Sequence, residues 1–247
     1  MANCGFKTCG FFGYEMSREK SRGRQAMAAR GLAIITIGLM LGGCFQSTLA
    51  PTSEASFKPR DKELLANAPY RKADIPSQYQ RHIVTYHRKE APGTIVVDSD
   101  ARFLYYVLPD GKAIRYGVTV GEEALAWSGV AKVGRKEEWP AWTPTDAIKK
   151  REEVPSYVAP GPHNPMGARA LYLYDGNRDT LYRIHGTNQP EYIGDAISSG
   201  CIRMTNEDVI DLYNRVKQGT YVVVLAPGQG DSPYNPQRVA AAHMTPD

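Results

Sequence analysis

The stretch IHGTNQPEYIGDAISSGCIRM, residues 184–204, carries the strongest signal in this chain of 247 residues. It places His185 sixteen residues before Cys201, and each of the two lies next to a glycine. A thiol can act as a nucleophile, an imidazole can act as its base, and backbone N–H groups can hold an oxyanion. The stretch therefore indicates acyl transfer by a cysteine.

A second block lies upstream and reads PGPHNPMGARALYL, residues 160–173. Together the two blocks resemble the signature of the L,D-transpeptidase catalytic domain, the YkuD-like family. That signature is an Asn-Pro-Leu-Gly-x-Arg-Ala-Leu segment, a His-Gly pair, a spacer, and Ser/Thr-His-Gly-Cys followed by a hydrophobic residue and often arginine. The resemblance covers roughly Gly93 to Pro227. The residues that match around the cysteine are His185, Ser198, Gly200, Cys201, Ile202 and Arg203.

One position departs from the signature. Many members carry a histidine immediately before Gly-Cys, and this chain has Ser199 there. Because that histidine is not the expected base, we expect activity to survive. Contacts of Ser199 with substrate, or the tuning of the thiol, are expected to differ from those of the relatives.

The resemblance implies a role for each residue of the motif. Cys201 would attack a peptide carbonyl, and His185 would take the thiol proton and return a proton to the leaving amine. Backbone N–H groups of Gly200 and Cys201 would hold the oxyanion, and the carbonyl oxygen of Gly186 would orient the imidazole. No cofactor is expected, and the sequence contains neither a CxxC nor an HExxH pattern that would indicate a metal site.

Other residues near the motif have two possible roles each. Arg203 could bind a substrate carboxylate with its planar guanidinium, or it could form a structural ion pair. Asn188 and Tyr192 are expected to line the cleft. The aromatic segment 139–144 could be a lid or a groove wall, or it could pack in the core. His163 could contact the cleft or lie in a surface turn.

The resemblance implies that the substrate is peptidoglycan. Family members cut a stem tetrapeptide after its third residue, release D-alanine and hold the acyl group on cysteine. The amine of a second stem peptide would then give a 3→3 cross-link, an amine of an envelope protein would attach that protein, and water would make the enzyme an L,D-carboxypeptidase. Two alternatives stay open: a cell-wall-binding lipoprotein that has lost catalysis, as Ser199 could suggest, and a cysteine protease.

Charge argues against a nucleic-acid partner. The formal net charge is +4, but six basic residues and only two acidic ones precede Cys44. The remainder carries 24 basic and 24 acidic residues, so it lacks the positive surface that a phosphate backbone requires. The basic excess belongs to an N-terminal leader.

That leader runs into a short apolar segment, residues 31–41, and then Gly-Gly-Cys44. The segment is shorter than the roughly 20 residues that cross a bilayer but has the length of a secretory signal. Residues 41–44 resemble a lipoprotein cleavage box, which predicts a signal peptide at 1–43 and lipidation of Cys44. The protein would then be periplasmic and lipid-anchored, with the outer membrane favoured over the inner. An ordinary signal peptide and an uncleaved anchor are the alternatives, and translation could start at Met16 or Met27.

Removal of this leader would leave two cysteines, Cys44 and Cys201. If Cys44 is lipidated, Cys201 has no disulfide partner in an oxidising compartment. A lone thiol there is either a buried core residue or one kept for reactivity. The neighbouring His185 favours reactivity.

We expect four segments: the leader 1–43, a Pro/Ala/charge-rich tether at 44–92, a catalytic domain at 93–227 and a polar tail at 228–247. The domain should be mainly β with short helices, an α+β fold, and the resemblance implies a curved mixed β-sandwich. One helix should open at Thr143-Pro144, and another should run from a capping box at Thr205 to Gly219. The predicted strands are 94–98, 102–108, 112–120, 168–174, 181–185 and 220–225, with a hairpin turn at 109–111.

Overall fold

The computed structural model describes residues 52–121, 128–151 and 153–230. The predicted signal peptide, Cys44 and most of the predicted tail lie outside these residues. Within the described ranges, no helix is both long and apolar enough to span a membrane.

The described chain is mainly β, as expected. Three α-helices are α1 (Pro59–Ala66), α2 (Asp146–Arg151) and α3 (Asn206–Arg215). The strands are β1 (His82–Thr85), β2 (Ile95–Asp98), β3 (Phe103–Leu108), β4 (Lys112–Gly117), β5 (Val120–Gly121), β6 (Gly129–Glu138), β7 (Arg169–Asp175), β8 (Arg178–His185), β9 (Ala196–Ser198), β10 (Ile202–Arg203) and β11 (Tyr221–Val224).

Nine strands form one mixed sheet in the order β1-β4-β3-β2-β11-β6-β7-β8-β10, and β5 pairs with β9 in a second, two-stranded sheet. The pairs β2–β11 and β8–β10 are parallel, whereas the other pairs of the large sheet are antiparallel. The predicted hairpin of β3 and β4 is confirmed. Its turn uses positive φ at Asp110 and Gly111, 58° and 63°, which tight hairpin turns require.

Helix α3 closes the main core against the sheet. Its N-cap is Thr205, whose Oγ1 accepts a hydrogen bond from the backbone N–H of Asp208 at 3.1 Å, as the capping pattern predicted. Val209, Leu212 and Val216 are buried in the core. The helix ends at Arg215 and not at Gly219, because Val216 already has an extended backbone.

Several predicted boundaries need correction. The helix expected at Thr143 begins at Asp146, because Thr145 is the residue whose hydroxyl accepts a hydrogen bond from a first-turn N–H, that of Ile148, at 3.3 Å. The strand predicted at 112–120 is interrupted after β4. Thr119 no longer pairs with β3, and it forms a bridge to Arg203 instead.

Strand β6 is ten residues long and was not predicted. Its charged sequence and its glycines argue against a strand, yet it lies between β11 and β7, where both of its edges are hydrogen-bonded. The aliphatic parts of its long side chains cover neighbouring apolar surface, and their charged ends contact aromatic rings. The Arg135 guanidinium lies 3.6 Å from the centre of the Tyr172 ring, and the Lys136 ammonium lies 4.0 Å from that of Tyr213.

The predicted tether is wrong for its described part, residues 52–92. Helix α1 begins with Pro59 at its first turn, where the missing N–H costs nothing, so this proline starts a helix and does not break the segment. Strand β1 pairs antiparallel with β4 at the edge of the large sheet. Phe57 is buried in the main core, so this segment is part of the folded unit.

A buried ion pair fastens α1 to the sheet. The carboxylate of Asp61 accepts two hydrogen bonds from Arg169 at 2.9 and 2.6 Å and one from the indole N–H of Trp139 at 2.8 Å. The side chains of Asp61 and Arg169 are 3% and 1% exposed. Burial alone would raise the pKa of Asp61, but the hydrogen bonds from Arg169 and Trp139 outweigh burial, so the pKa lies below its ordinary 3.8.

We expect Asp61→Ala to lower the free energy of unfolding by about 3–5 kcal/mol, because it leaves the Arg169 charge buried without a partner. Lys72→Ala, which removes an exposed ion pair with Glu54 in the same segment, should cost less than about 1 kcal/mol. Because the pKa of Asp61 is lowered on folding, its contribution is present above its ordinary pKa and is lost as the pH falls below it. Urea unfolding of both variants measures the difference, and equal effects would contradict this account.

Candidate active site

Two adjacent parallel strands bring the predicted nucleophile and base together. The register of β8 and β10 pairs Ile202 with Ile184 and Arg203 with His185. Cys201 immediately precedes β10, and continuing this register by one residue places it opposite Arg183. Residues two apart on a strand share a face, so the side chains of Cys201 and His185 lie diagonally on the same face.

His185 is buried and its ring is held by the backbone. Its Nδ1 lies 2.6 Å from the carbonyl oxygen of Gly186, so Nδ1–H donates and Nε2 is left as the acceptor of the neutral ring. This is the contact expected at Gly186. Burial lowers the pKa of His185 to about 3, and the charges of Arg203 and Arg183 act in the same direction. The imidazole is therefore neutral near pH 7.

Asn206, at the start of α3, supports the segment that orients His185. Its Oδ1 accepts a hydrogen bond from the N–H of Ala168 at 2.7 Å, and its Nδ2 donates to the carbonyl of Thr187 at 2.8 Å. A Cβ added at Gly186 or Gly167 would overlap with this Oδ1. Sequence reasoning missed this role of Asn206, because the local pattern marks it only as a first-turn helix residue.

The turn that carries Cys201 is closely packed. Gly200 has φ +115°, which favours glycine, and the Ser198 hydroxyl donates to the carbonyl of Cys201 at 2.5 Å. Gly121 of β5 lies directly against this turn, since a Cβ there would overlap with the Ser198 carbonyl. Cys201 therefore sits on a closely packed loop.

Cys201 is partly exposed and forms no disulfide within the described part of the chain. Burial raises the pKa of its thiol above the ordinary 9.0. The charge of Arg183, a backbone hydrogen bond with Arg183 and the charge of Arg203 oppose this rise without cancelling it. The resting thiol is therefore protonated near pH 7.

A cavity of about 550 Å³ opens beside Cys201. Ser199 and Gly200 line it on the side of the nucleophile, and Trp142 is among its other lining residues. The two tryptophans of the aromatic segment therefore lie in different environments. Trp142 lines the cavity, as expected for a groove wall, whereas Trp139 is 2% exposed and packs in the core.

The remaining candidates lie around the motif but are not among the described residues that line this cavity. The guanidinium of Arg203 contacts the side-chain oxygen of Gln189 at 3.5 Å. Asn188 donates from Nδ2 to the carbonyl of His163 at 3.0 Å, which ties two loops together. The carbonyl of Tyr192 accepts a hydrogen bond from Thr119. Roles of these residues in substrate binding stay predictions.

Three further residues form a row that sequence reasoning missed. Cross-strand pairing places Arg135, Tyr172 and Arg183 side by side on β6, β7 and β8. Both guanidinium groups lie over the Tyr172 ring, at 3.6 and 4.7 Å from its centre, and all three residues line the cavity. The row includes Arg135 of β6. Because β6 was not predicted from the sequence, the row could not be predicted either.

No metal-binding cluster of three or more His, Cys, Asp or Glu side chains occurs among the residues described. His82 lies on β1, where its Nε2 contacts the carbonyl of Ser77 at 3.2 Å. The histidine, cysteine and carboxylate side chains of the described residues therefore do not assemble into a metal site.

Comparison with known proteins agrees with the motif. Residues 92–224 match the sequence model of the YkuD family, described as the L,D-transpeptidase catalytic domain. The chain is 38% identical over 141 residues to the probable L,D-transpeptidase ErfK/SrfK of Escherichia coli (strain K12), covering 53% of this chain and 43% of that protein. It is 35% identical over 139 residues to the probable L,D-transpeptidase YbiS of the same organism, with the same coverage of 53% and 43%.

The chain therefore aligns with less than half the length of these curated relatives. Among solved structures, one from Brucella melitensis, described as a probable carnitine operon oxidoreductase, is 47% identical. It covers 61% of this chain and 96% of that chain with a TM-score of 0.42.

We expect alkylation of Cys201 by iodoacetamide to accelerate about tenfold per pH unit between about pH 7 and 9, because only the thiolate reacts and the thiol pKa is raised. Mass spectrometry of the Cys201 peptide at each pH gives the rate. A plateau in this range would mean that thiolate and imidazolium exist as a preformed pair. A small cysteine peptide measured alongside supplies the reference.

Proposed function

The chain belongs to the YkuD family of L,D-transpeptidase catalytic domains, and we propose that it is a peptidoglycan L,D-transpeptidase with Cys201 as its nucleophile. The observation that carries the proposal is the arrangement on β8 and β10, where the register puts Cys201 and His185 on one face and Cys201 lines an open cavity. With Nδ1–H of His185 donating to the Gly186 carbonyl, Nε2 is the ring nitrogen that would accept the thiol proton.

In the first half-reaction the sulfur of Cys201 attacks the carbonyl carbon of the L-centre of the third residue in a stem tetrapeptide. Nε2 of His185 takes the thiol proton. The carbonyl oxygen becomes an oxyanion, which the backbone N–H groups of Gly200 and Cys201 would hold. When the carbon–nitrogen bond breaks, His185 returns the proton to the amine of the leaving D-alanine, and a thioester remains on Cys201.

In the second half-reaction an amine attacks the thioester. His185 takes a proton from the attacking nitrogen, an amide forms, and the thiol of Cys201 is regenerated. The acceptor is the side-chain amine of a second stem peptide, which gives a 3→3 cross-link, or an amine of an envelope protein. Both acceptors make the enzyme an acyltransferase, the activity that gives the family its name.

The lowered pKa of His185 fixes the protonation state of the imidazole before attack. A neutral imidazole is available as a base at every pH near neutrality, and the imidazolium formed during attack is a strong acid that readily protonates the leaving amine. The same low pKa makes the imidazole a weak base, and the raised pKa of the Cys201 thiol makes it a weak acid, so both shifts oppose transfer of the proton from sulfur to nitrogen. Stabilisation of the developing negative charge is therefore central to this site.

We expect incubation with a disaccharide-tetrapeptide to give a thioester adduct on Cys201 and a dimer lacking one D-alanine, both seen by mass spectrometry. Cys201→Ala should give neither, and His185→Gln should slow acylation by at least about a hundredfold. Arg178→Gln, an exposed change on the same strand, is the control for folding and should behave as the parent.

Other products would change the assignment. Free tripeptide without dimer would indicate an L,D-carboxypeptidase. Intact tetrapeptide with a folded, reduced protein that still binds sacculi would overturn catalysis and favour a cell-wall-binding module.

We also propose that the chain is exported to the periplasm and anchored through lipid on Cys44. The basis is the apolar segment 31–41 followed by the cleavage box at 41–44. An anchor would hold the domain in the envelope, where peptidoglycan lies. We expect radiolabelled palmitate to enter the full-length chain in a bacterial host and not its Cys44→Ser variant. Equal labelling of the two forms would refute the lipid anchor.

A further inference from the structure

Four side chains lie next to one another on one face of β8 and β10. Arg183 and His185 lie two apart on β8, and Cys201 and Arg203 lie two apart at β10. The register places Arg183 opposite Cys201 and His185 opposite Arg203, so each member of the predicted dyad has one arginine as its direct cross-strand neighbour. Adjacent strands lie about 5 Å apart, so the backbones of Arg183 and Cys201 are direct neighbours, and both residues line the same cavity.

Arg183 is fixed in this position. Its Nη1 and Nη2 donate to the two carboxylate oxygens of Asp179 at 2.9 and 3.1 Å, and its guanidinium lies 4.7 Å from the centre of the Tyr172 ring. Its side chain is only 15% exposed. A charge that is already held in place acts on a developing anion without reorganising first.

The two arginines have different neighbours. Arg203 lies opposite His185 and contacts Gln189, and it is absent from the described residues that line the cavity. Arg183 lines the cavity together with Cys201. The charged groups described around this cavity are Arg183 on β8, Arg135 and Glu137 on β6, and Arg151 on α2, with His185, Arg203 and Asp179 nearby.

We propose that Arg183 stabilises the negative charge that forms on Cys201, and so acts as a positioning residue that makes this partly exposed thiol reactive. The effect on the thiolate stands independently of the substrate, whereas its use in acyl transfer rests on the proposed function. In acyl transfer the same charge favours loss of the thiol proton to His185 and the anionic character of the attacking sulfur.

The expected size of the effect follows from the usual influence of a neighbouring opposite charge, reduced by the pairing of Arg183 with Asp179. An opposite charge within about 4–6 Å changes the ionisation equilibrium of an acid by roughly ten- to a thousandfold. Asp179 offsets part of the Arg183 charge, so the lower end, about tenfold, applies. By the same reasoning, removing the Asp179 charge should favour the Cys201 thiolate, because the Arg183 charge is then less compensated.

The experiment measures iodoacetamide alkylation of Cys201 in the intact chain from about pH 6 to 10, following the Cys201 peptide by mass spectrometry so that the other cysteines do not interfere. Arg183→Gln should slow alkylation about tenfold near pH 7.5 and shift the whole profile to higher pH, with the same limiting rate at high pH. Arg183→Lys, which keeps the charge, should restore most of the rate.

Two variants separate charge from folding. Asp179→Asn keeps an oxygen for the hydrogen bond from the Leu181 N–H, and it should speed alkylation several-fold. Arg178→Gln, 80% exposed on the same strand, should change nothing. A profile of Arg183→Gln that overlays that of the parent, or a limiting rate at high pH that falls by the same factor as the rate near pH 7.5, would overturn the proposal. If Arg183→Gln does not fold, an unchanged or slower rate in Asp179→Asn overturns it.

The outcome is independent of peptidoglycan. A shifted profile without any acylation by tetrapeptide would sustain the effect of Arg183 on the thiol and reject the proposed function. Acylation by tetrapeptide, with equal alkylation rates in all variants, would sustain the proposed function and reject the effect of Arg183 on the thiol.

Discussion

The parallel register of β8 and β10 is the constraint on which the rest of the site depends. Pairing of Ile202 with Ile184 and of Arg203 with His185 sets the position of Cys201 relative to the imidazole. Because side chains alternate between faces, a slip of one residue would turn Cys201 to the opposite face from His185. The braced turn at Gly200 and the Asn206 hydrogen bonds at the end of β8 hold this register from both sides.

Burial sets the electrostatics of this pair. Taking both groups out of water keeps the imidazole and the thiol neutral, since the charged form of each is the one that loses solvation. Two arginines on the same face then act in opposite ways on the two partners, disfavouring imidazolium and favouring thiolate. This charge pattern is the one that the proposed mechanism requires, because a thiol activated by proton transfer to a neutral base develops negative charge on sulfur.

The N-terminal segment is part of the same structure. Asp61 on α1 pairs with Arg169 at the start of β7, and Arg169 follows the Ala168 N–H that Asn206 binds. The Trp139 indole shares the Asp61 carboxylate, and the cavity wall at Trp142 begins three residues later. Loss of the ion pair would thus disturb the elements that support the loop after His185. Residues upstream of the matched family region, 92–224, contribute directly to the stability of the region that holds the site.

The sequence by itself determined the family motif, the mainly β fold, the bounds of β2, β3, β7 and β11 to within one residue, the hairpin at 109–111 and the Thr205 cap. These features depend on local patterns: alternating or continuous apolar residues, turn residues and a motif with its spacing. Only the tertiary structure decided the packing of residues 52–92, the long charged strand β6, and the row of Arg135, Tyr172 and Arg183. In each case the stabilising partner lies far along the chain, as Arg169 does for Asp61 and Tyr172 for Arg135. Local composition suggested a tether at 44–92 and no strand at β6, because ion pairs and cross-strand contacts between distant segments leave no mark on the sequence near either partner.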